Sequence, residues 1–600
     1  MEREGVERLL SEAGADSRRL RHALTLLCDG QWWTLAGLVR RSATSRRGIE
    51  ALLREVVLER EADRFRVPPA DTPAYQDLLA LAPPPEDPVA HLLPHYAHVL
   101  DRLTTLIAEA PRSRHVLDHV SATPETVLRR ALLLGARFWL PGARLLCVGD
   151  HDLTSLAVKL VHPETDVTVV DVDERILAHI DGQRLGVRTR WADLRLGLPA
   201  SARDHDLALT DPPYTPEGVG LFVARAVEGL KDEGRVLLAY GAGERMPMLA
   251  LKVQQELTDL NLTYEAIYPD FNRYFGAEAI GSAADLYILR PTTKTRPAVQ
   301  SRLSRQTTAI YTQGPQAVES ATRAPQTTES TTRGSQAAES TTRGPQAGGS
   351  AAKSSHTGGS AAQGSQTAES TVQGSQAAKS TARSPQGGGS AADTSSGPNG
   401  PEQPSGLGGG LSGALVGFEA ELLVGDWPKD LAQPRVKLST WLAKPYAATP
   451  DRVAVAVPPG LEAAVPRLLL ATRATHVRVV CPTGPPRPPE ALSPVYSFSS
   501  GEGVLDAVRL PQPDGEAESV LRRILDNGHA KLANTWREGL IAVARAQGST
   551  LTKNEARTLI REAADWSDDL TPLEAPLHRL STLATAVAST VTSLTSTTTV

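Results

Sequence analysis

Cysteine and methionine are scarce in this 600-residue chain, at three each, and aromatic side chains make up only 4%. Cys28, Cys147 and Cys481 stand too far apart to frame a metal knuckle or a disulfide scaffold, so a reduced, cytoplasmic chain with no metal is expected. No apolar run approaches the ~18 residues of a membrane span. The opening MEREGVERLL mixes acids with bases and holds no apolar stretch of signal length, so neither secretion nor membrane insertion is expected. A dominant charge is missing as well. The net charge of −5 argues against nucleic acid bound through overall charge. Lysine is rare, 11 of 63 basic residues; with abundant alanine, this pattern reads as a GC-rich bacterial coding sequence rather than as phosphate recognition.

One segment lacks aromatics almost entirely. Between residues 297 and 412 only Tyr311 occurs, and residues 312–391 hold eight imperfect decapeptides such as TRAPQTTEST and TRGSQAAEST. A ten-residue period with no apolar position cannot stack into a solenoid. Residues 297–412 are therefore expected to be a disordered repeat linker between two foldable parts. The full division expected is a winged-helix-like domain over 1–70, a helical connector over 71–140 and a Rossmann-like catalytic domain over 141–296. After the linker come a C-terminal α/β or α+β domain over 413–575 and a disordered Ser/Thr-rich tail over 576–600.

The winged-helix expectation rests on three helical patterns followed by a hairpin in residues 18–66, with Thr34 and Ser45 placed as N-caps. Arg46, Arg47 and Arg54 on the third helix would face a DNA groove in that setting. The acids Glu50, Glu55, Glu59 and Glu61 would repel phosphate, and such modules also serve as dimerisation or lid elements. From about residue 140 the pattern changes. Strand-length apolar runs (ARLLCVGD, TDVTVVDVD, HDLALTDPPYT, GRVLLAYG) alternate with helical stretches, which predicts a mostly parallel sheet covered by helices on both faces. Ligands bind such sheets at the carboxyl ends of the strands.

Acids stand at three of those ends. The first strand closes on Gly149-Asp150-His151-Asp152, the second on Asp171 and the third on Asp193. Asp171 is placed to accept from ribose hydroxyls and Asp193 from an adenine amino group, while the single Gly149 replaces the Gly-rich phosphate turn. An adenosine-containing ligand without a required phosphate follows. The fourth strand delivers Asp211-Pro212-Pro213-Tyr214, a rigid turn able to hold a nucleophilic amine, best known in adenosylmethionine-dependent methyltransferases acting on exocyclic amino groups. Asp150 and Asp152 would repel the carboxylate of S-adenosylmethionine and attract the two cationic groups of its decarboxylated form. A protonated amine acceptor needs a carboxylate to orient and deprotonate it.

GDHDLTSLA, DPPYTPEGVGLF and FNRYFGAEAIGSAADLYILRP resemble the branched-chain polyamine synthases, the N4-bis(aminopropyl)spermidine synthases, over roughly residues 18–291. The resemblance implies a homodimer that moves aminopropyl groups from decarboxylated S-adenosylmethionine, a co-substrate rather than a tightly bound cofactor, onto spermidine. It places the catalytic acid on Asp152, with His151 standing where the family has an Asp. On this reading Asp118 and Asp150 bind cationic groups, and Asp211 with Tyr214 shapes the acceptor side. Glu244 and Glu278 are further candidates for polyamine ammonium groups, and His151 is either a proton relay or a ring bonded to local backbone. Two rivals stay open: an amino-methyltransferase acting on nucleic acid bases, and a winged-helix regulator that binds DNA without turnover.

Overall fold

The computed structural model describes residues 2–14, 17–79, 87–243, 246–305, 309–312, 408–484 and 486–597. The decapeptide repeats fall outside these residues, and so does Glu244. The described segments before and after the repeats pack as one unit.

The chain starts with helices Glu2–Ala13, Ser17–Leu27, Leu35–Ser42 and Arg46–Glu55. A small antiparallel sheet of β1 (Trp33–Thr34), β2 (Glu59–Glu61) and β3 (Arg64–Arg66) completes this part, in the order β1-β3-β2. Thr34 and Ser45 cap the third and fourth helices, accepting from the Gly37 and Gly48 amides. Leu24, Leu27, Leu38, Ile49 and Leu52 meet in its core.

The main sheet holds β4 (Arg144–Val148), β5 (Asp166–Asp171), β6 (Arg188–Trp191), β7 (His205–Thr210), β8 (Leu230–Tyr240), β9 (Leu262–Arg273) and β10 (Ala283–Pro291). Their order is β6-β5-β4-β7-β8-β10-β9. β4 through β8 run parallel, and β10 lies antiparallel to both β8 and β9. The parallel strands carry continuous Leu/Val runs because helices cover both faces. The order reverses at β4, and the loops leaving β4 and β7 open a crevice there.

Two expected boundaries move. Residues 297–312 fall within the expected linker, yet helix Thr295–Ser304 packs with the main-sheet domain, its Val299 buried in one apolar cluster with Leu146, Val148 and Leu238. Ile310 and Tyr311 are buried against it, Ile310 accepting from Thr215 Oγ1 at 2.7 Å. The tail over 576–600 was expected to be disordered, yet Leu577–Thr597 is a 21-residue helix. Its Leu580, Leu583, Val587, Val591 and Leu594 recur every three or four residues and are all buried, so its apolar stripe decides its fate over its Ser/Thr content.

The C-terminal domain is a second mixed sheet of β11 (Leu422–Val424), β12 (Arg435–Val436), β13 (Arg452–Ala456), β14 (His476–Val480), β15 (Tyr496–Gly501) and β16 (Val504–Arg509). The order is β12-β11-β13-β14-β16-β15. Helices Glu516–Leu525, Leu532–Ala546, Lys553–Ala563 and Leu577–Thr597 follow it, with Thr552 forming a capping box. One apolar cluster contains residues of both domains, including Leu145, Val169 and Trp191 with Val455, Val479 and Trp536. No helix among the described residues is long and apolar enough to cross a membrane.

Candidate active site

The strand ends enclose a cavity of about 400 Å³ lined by Gly149, Asp150, His151, Asp152, Asp171, Asp193, Asp211 and Tyr214, with Asp118 from the preceding segment. Asp150, Asp171 and Asp193 thus stand at the carboxyl ends of the adjacent strands β4, β5 and β6, with Asp171 and Asp193 the two expected to hold adenosine. Asp171 is fixed by backbone: Oδ2 accepts from Asp150 N at 3.0 Å and Oδ1 from Asp173 N at 2.8 Å. Asp193 is gripped by its near neighbour Arg195, with Nε to Oδ1 at 2.8 Å and Nη2 to Oδ2 at 2.5 Å. Asp150 accepts long bonds from Ser155 N, at 3.3 and 3.2 Å. Burial pushes its carboxyl up to about 8, against the pull of those bonds, and Asp152 and Asp171 add to the rise. Burial also raises Asp171, and raises Asp118 against bonds from the Thr312 amide and hydroxyl at 2.6 Å each.

The centre of the site is a residue that sequence reasoning missed. Arg130, fully buried on helix Pro124–Arg137, reaches into the cavity from the segment expected to be a mere connector. Its Nη1 donates to Asp152 Oδ2 at 2.9 Å and its Nη2 to Asp211 Oδ2 at 2.6 Å, while Nε donates to Asn272 Oδ1 at 2.8 Å. Thr123 caps this helix, and its amide donates to Arg273 O at 2.8 Å, tying the helix start to the end of β9. The acidic first motif is therefore not free negative charge: Arg130 neutralises part of it. Asp152 has both oxygens engaged, Oδ1 accepting from Ala122 N at 2.8 Å.

Asp211 sits in a further network. Tyr274 OH donates to Oδ2 at 2.8 Å, Tyr214 OH to Oδ1 at 3.1 Å, and the two phenols lie 3.0 Å apart. Burial lifts the Asp211 carboxyl to about 6, with Arg130 pulling it back. Burial and the Asp211 charge hold both phenols well above the ordinary tyrosine range. The signal for Tyr274 was its place in FNRYFG; the signal for Arg130 was a charged pair inside the apolar run TVLRRALLLGA, where burial demands a partner.

His151 is bonded neither to local backbone nor to an acid. Its Nε2 meets Ser113 Oγ at 2.9 Å and Ser121 Oγ at 3.3 Å, and its ring stacks on His119 with centroids 4.2 Å apart. Burial lowers both imidazoles, His119 to about 3, so the pair is neutral at physiological pH. Glu278 does not serve the cavity. Arg46 of the fourth helix donates to it at 2.6 Å, while its neighbours Ala277, Ala279 and Ile280 form the cavity wall.

A switch-point crevice on a seven-stranded sheet with one reversed strand, carrying acids at successive strand ends, defines a methyltransferase-type Rossmann domain. Residues 98–322 match the family model of the branched-chain polyamine synthase A C-terminal domain. The chain is 31% identical over 191 residues to an N(4)-bis(aminopropyl)spermidine synthase of Methanocaldococcus jannaschii, covering 30% of this chain and 54% of that one. It is 32% identical over 139 residues to the Thermus thermophilus enzyme of the same name, covering 22% and 40%. An uncharacterized M. jannaschii protein is 36% identical over 193 residues, covering 31% and 49%. The chain thus spans about half, or less, of the length of these curated relatives. Among solved structures, the T. thermophilus branched-chain polyamine synthase in complex with N4-aminopropylspermidine and 5′-methylthioadenosine is 20% identical. It covers 48% of this chain and 92% of its own, with a TM-score of 0.35.

Proposed function

We propose that the protein is an aminopropyltransferase of polyamine biosynthesis that moves aminopropyl groups from decarboxylated S-adenosylmethionine to a polyamine amine, with spermidine as the acceptor. The observation that carries this reading is the set Asp118, Asp150 and Asp171. All three line the cavity, all three are raised by burial, and none is paired with a basic side chain among the described residues. Such a site gains by taking up cations and loses by taking up a ligand carboxylate.

In this reading Asp171 and Asp193 hold the adenosine beside Gly149, and Asp150 with Asp118 meets the ammonium groups. The acceptor nitrogen must first be neutral. Asp211, raised to about 6 by burial, is matched to take its proton. Asp152, held by Arg130 and the Ala122 amide, orients the nitrogen through its own negative charge. The nitrogen lone pair attacks the methylene carbon next to the sulfonium, the C–N bond forms and the C–S bond breaks. Sulfur keeps the electron pair and leaves as neutral 5′-methylthioadenosine. Tyr214 and Tyr274 keep Asp211 in place.

The N-terminal helices and small sheet are read as a winged-helix module used for docking within the chain. The Arg46–Glu278 pair at 2.6 Å, which ties the start of its third winged-helix helix to the main-sheet domain, and the Arg46–Glu50 pair at 2.9 Å within that helix both engage the Arg46 guanidinium with acids, which supports docking over a DNA-groove role.

The test is ligand discrimination. Calorimetric titration at pH 8 should show decarboxylated S-adenosylmethionine binding at least tenfold tighter than S-adenosylmethionine. Equal affinity, or preference for the carboxylated form, would contradict the assignment.

A further inference from the structure

The two mixed sheets are built to one plan. With β6 set aside, the order β5-β4-β7-β8-β10-β9 is reproduced by β12-β11-β13-β14-β16-β15. Each neighbouring pair keeps its relative direction, three parallel and then two antiparallel. The likeness reaches single residues. Val148 pairs with Val170, and Val424 pairs with Val436. The next residue in each case is a glycine in the left-handed region, Gly149 at φ 75° and Gly425 at φ 97°. Each glycine N–H donates to the partner strand's valine carbonyl at 2.8 Å. An aspartate follows both, and β7 and β13 both run into a Pro-Pro turn, Asp211-Pro212-Pro213-Tyr214 in one and Val457-Pro458-Pro459-Gly460 in the other.

The second copy has lost the chemistry. Lys437 stands where the first has Asp171; counted from the Pro-Pro pair, Val457 takes the place of Asp211 and Gly460 that of Tyr214; and no strand among the described residues corresponds to β6 with its Asp193. Its Pro-Pro turn has another use. The Gly460 carbonyl accepts from Arg195 Nη2 at 2.9 Å, and this is the guanidinium that forks onto Asp193. Just before it, Trp191 N donates to Glu574 O at 2.8 Å, and the Arg467 guanidinium lies 4.2 Å over the Trp191 ring. Three contacts from the C-terminal domain thus converge on residues 191–195, the end of β6 that delivers Asp193 to the cavity.

We infer that the C-terminal domain is a second copy of the catalytic sheet that has given up its own site and acts as a positioning module for the adenosine end of the first, through Arg195. The inference rests on the reading of Asp193 as an adenosine contact. Arg195 does not line the cavity. It is a positioning residue: its fork, held on the far side by Gly460 O, fixes the rotamer of the Asp193 carboxylate. An Asp left unforked would spend part of its time turned away from the ligand, which weakens adenosine binding without touching the polyamine end.

The test uses the full chain and two probes in separate titrations, 5′-methylthioadenosine and spermidine, with folding checked by circular dichroism. Arg195→Met should weaken 5′-methylthioadenosine about tenfold, the loss expected of a charge-assisted hydrogen bond, and leave spermidine affinity within about twofold. Arg195→Lys, which keeps the charge but not the fork, should fall between and serves if the Met variant does not fold. Unchanged 5′-methylthioadenosine affinity in the variants, or equal loss of both ligands, overturns the positioning role while leaving the proposed function standing. A wild-type protein that binds spermidine but no 5′-methylthioadenosine contradicts the adenosine reading itself and takes this inference with it.

Discussion

Replacing Arg130 by Met is the perturbation that probes the site most severely. Arg130 is fully buried and holds Asp152, itself buried, at 2.9 Å and the partly buried Asp211 at 2.6 Å. Removing one partner of a buried ion pair costs about 3–5 kcal/mol, because it strands the other charge. Here two charges are stranded, against a typical domain stability of about 5–15 kcal/mol. The stranded acids will protonate to escape. Arg130 already lowers a carboxyl at Asp211 that burial has lifted to about 6, so its loss raises that group further. A group whose folded pKa exceeds its unfolded value gives stability that is full at low pH and lost as pH rises through the folded value. The deficit of Arg130→Met should therefore be small near pH 5 and several kcal/mol near pH 8.5, read as the urea midpoint of the first transition at both pH values. A second variant carrying Asp152→Asn and Asp211→Asn as well should recover much of the loss at pH 8.5. A deficit below about 1 kcal/mol, or one equal at the two pH values, would refute the ion-pair reasoning.

Three further outcomes follow from the same chemistry. Asp150, raised by burial to about 8 from 3.8, gives the ligand-free protein stability that is full below about pH 4 and lost as pH rises through 8; Asp150→Asn should raise the melting temperature at pH 9 and abolish polyamine binding, checked by thermal shift with and without spermidine. Asp211 should impose an acid limb near pH 6 on the rate, lost with most of the activity in Asp211→Asn, whereas Asp152→Asn should lower the rate and keep the limb but move it to lower pH, because the Asp152 charge helps to raise Asp211, as a pH–rate profile will show. Leu583, fully buried in the C-terminal helix, should cost about 2–5 kcal/mol as Leu583→Ala, read by denaturant midpoint; a surface-like loss under 0.5 kcal/mol would return residues 577–597 to the disordered reading.

The parts of this protein that sequence pattern reaches are those set by local rules. Parallel strands buried on both faces must be continuous apolar runs, so β4, β5 and β7 announce themselves, and the residues closing them, Asp150, Asp171 and Asp211, are placed at one crevice by the fold alone. The missed parts depend on what lies across from a residue. Arg130 comes from a helix some twenty residues before Asp152, and nothing in its own neighbourhood says which acids it meets. Composition misled at residues 577–597, where Ser and Thr hide a stripe of Leu580, Leu583, Val587, Val591 and Leu594. At residues 309–312, Ile310 and Tyr311 belong to the apolar core of the main-sheet domain although they border the repeats. Glu278 illustrates the converse: an acid in a plausible motif whose partner, Arg46, lies far away in sequence and draws it off the cavity. The C-terminal α/β or α+β domain is legible from its strand-length apolar runs, but the likeness of its sheet order to that of the first sheet is not, because Asp171, Asp193 and Asp211, which mark the first sheet's strand ends, have no counterpart in it.

The most direct measurement is product mass. The full chain incubated with spermidine and decarboxylated S-adenosylmethionine should yield spermidine heavier by one and then two aminopropyl units, together with stoichiometric 5′-methylthioadenosine. Intact S-adenosylmethionine should give no product, and Asp211→Asn should give little. No mass gain from the decarboxylated donor, or methylation from the intact one, would contradict the account.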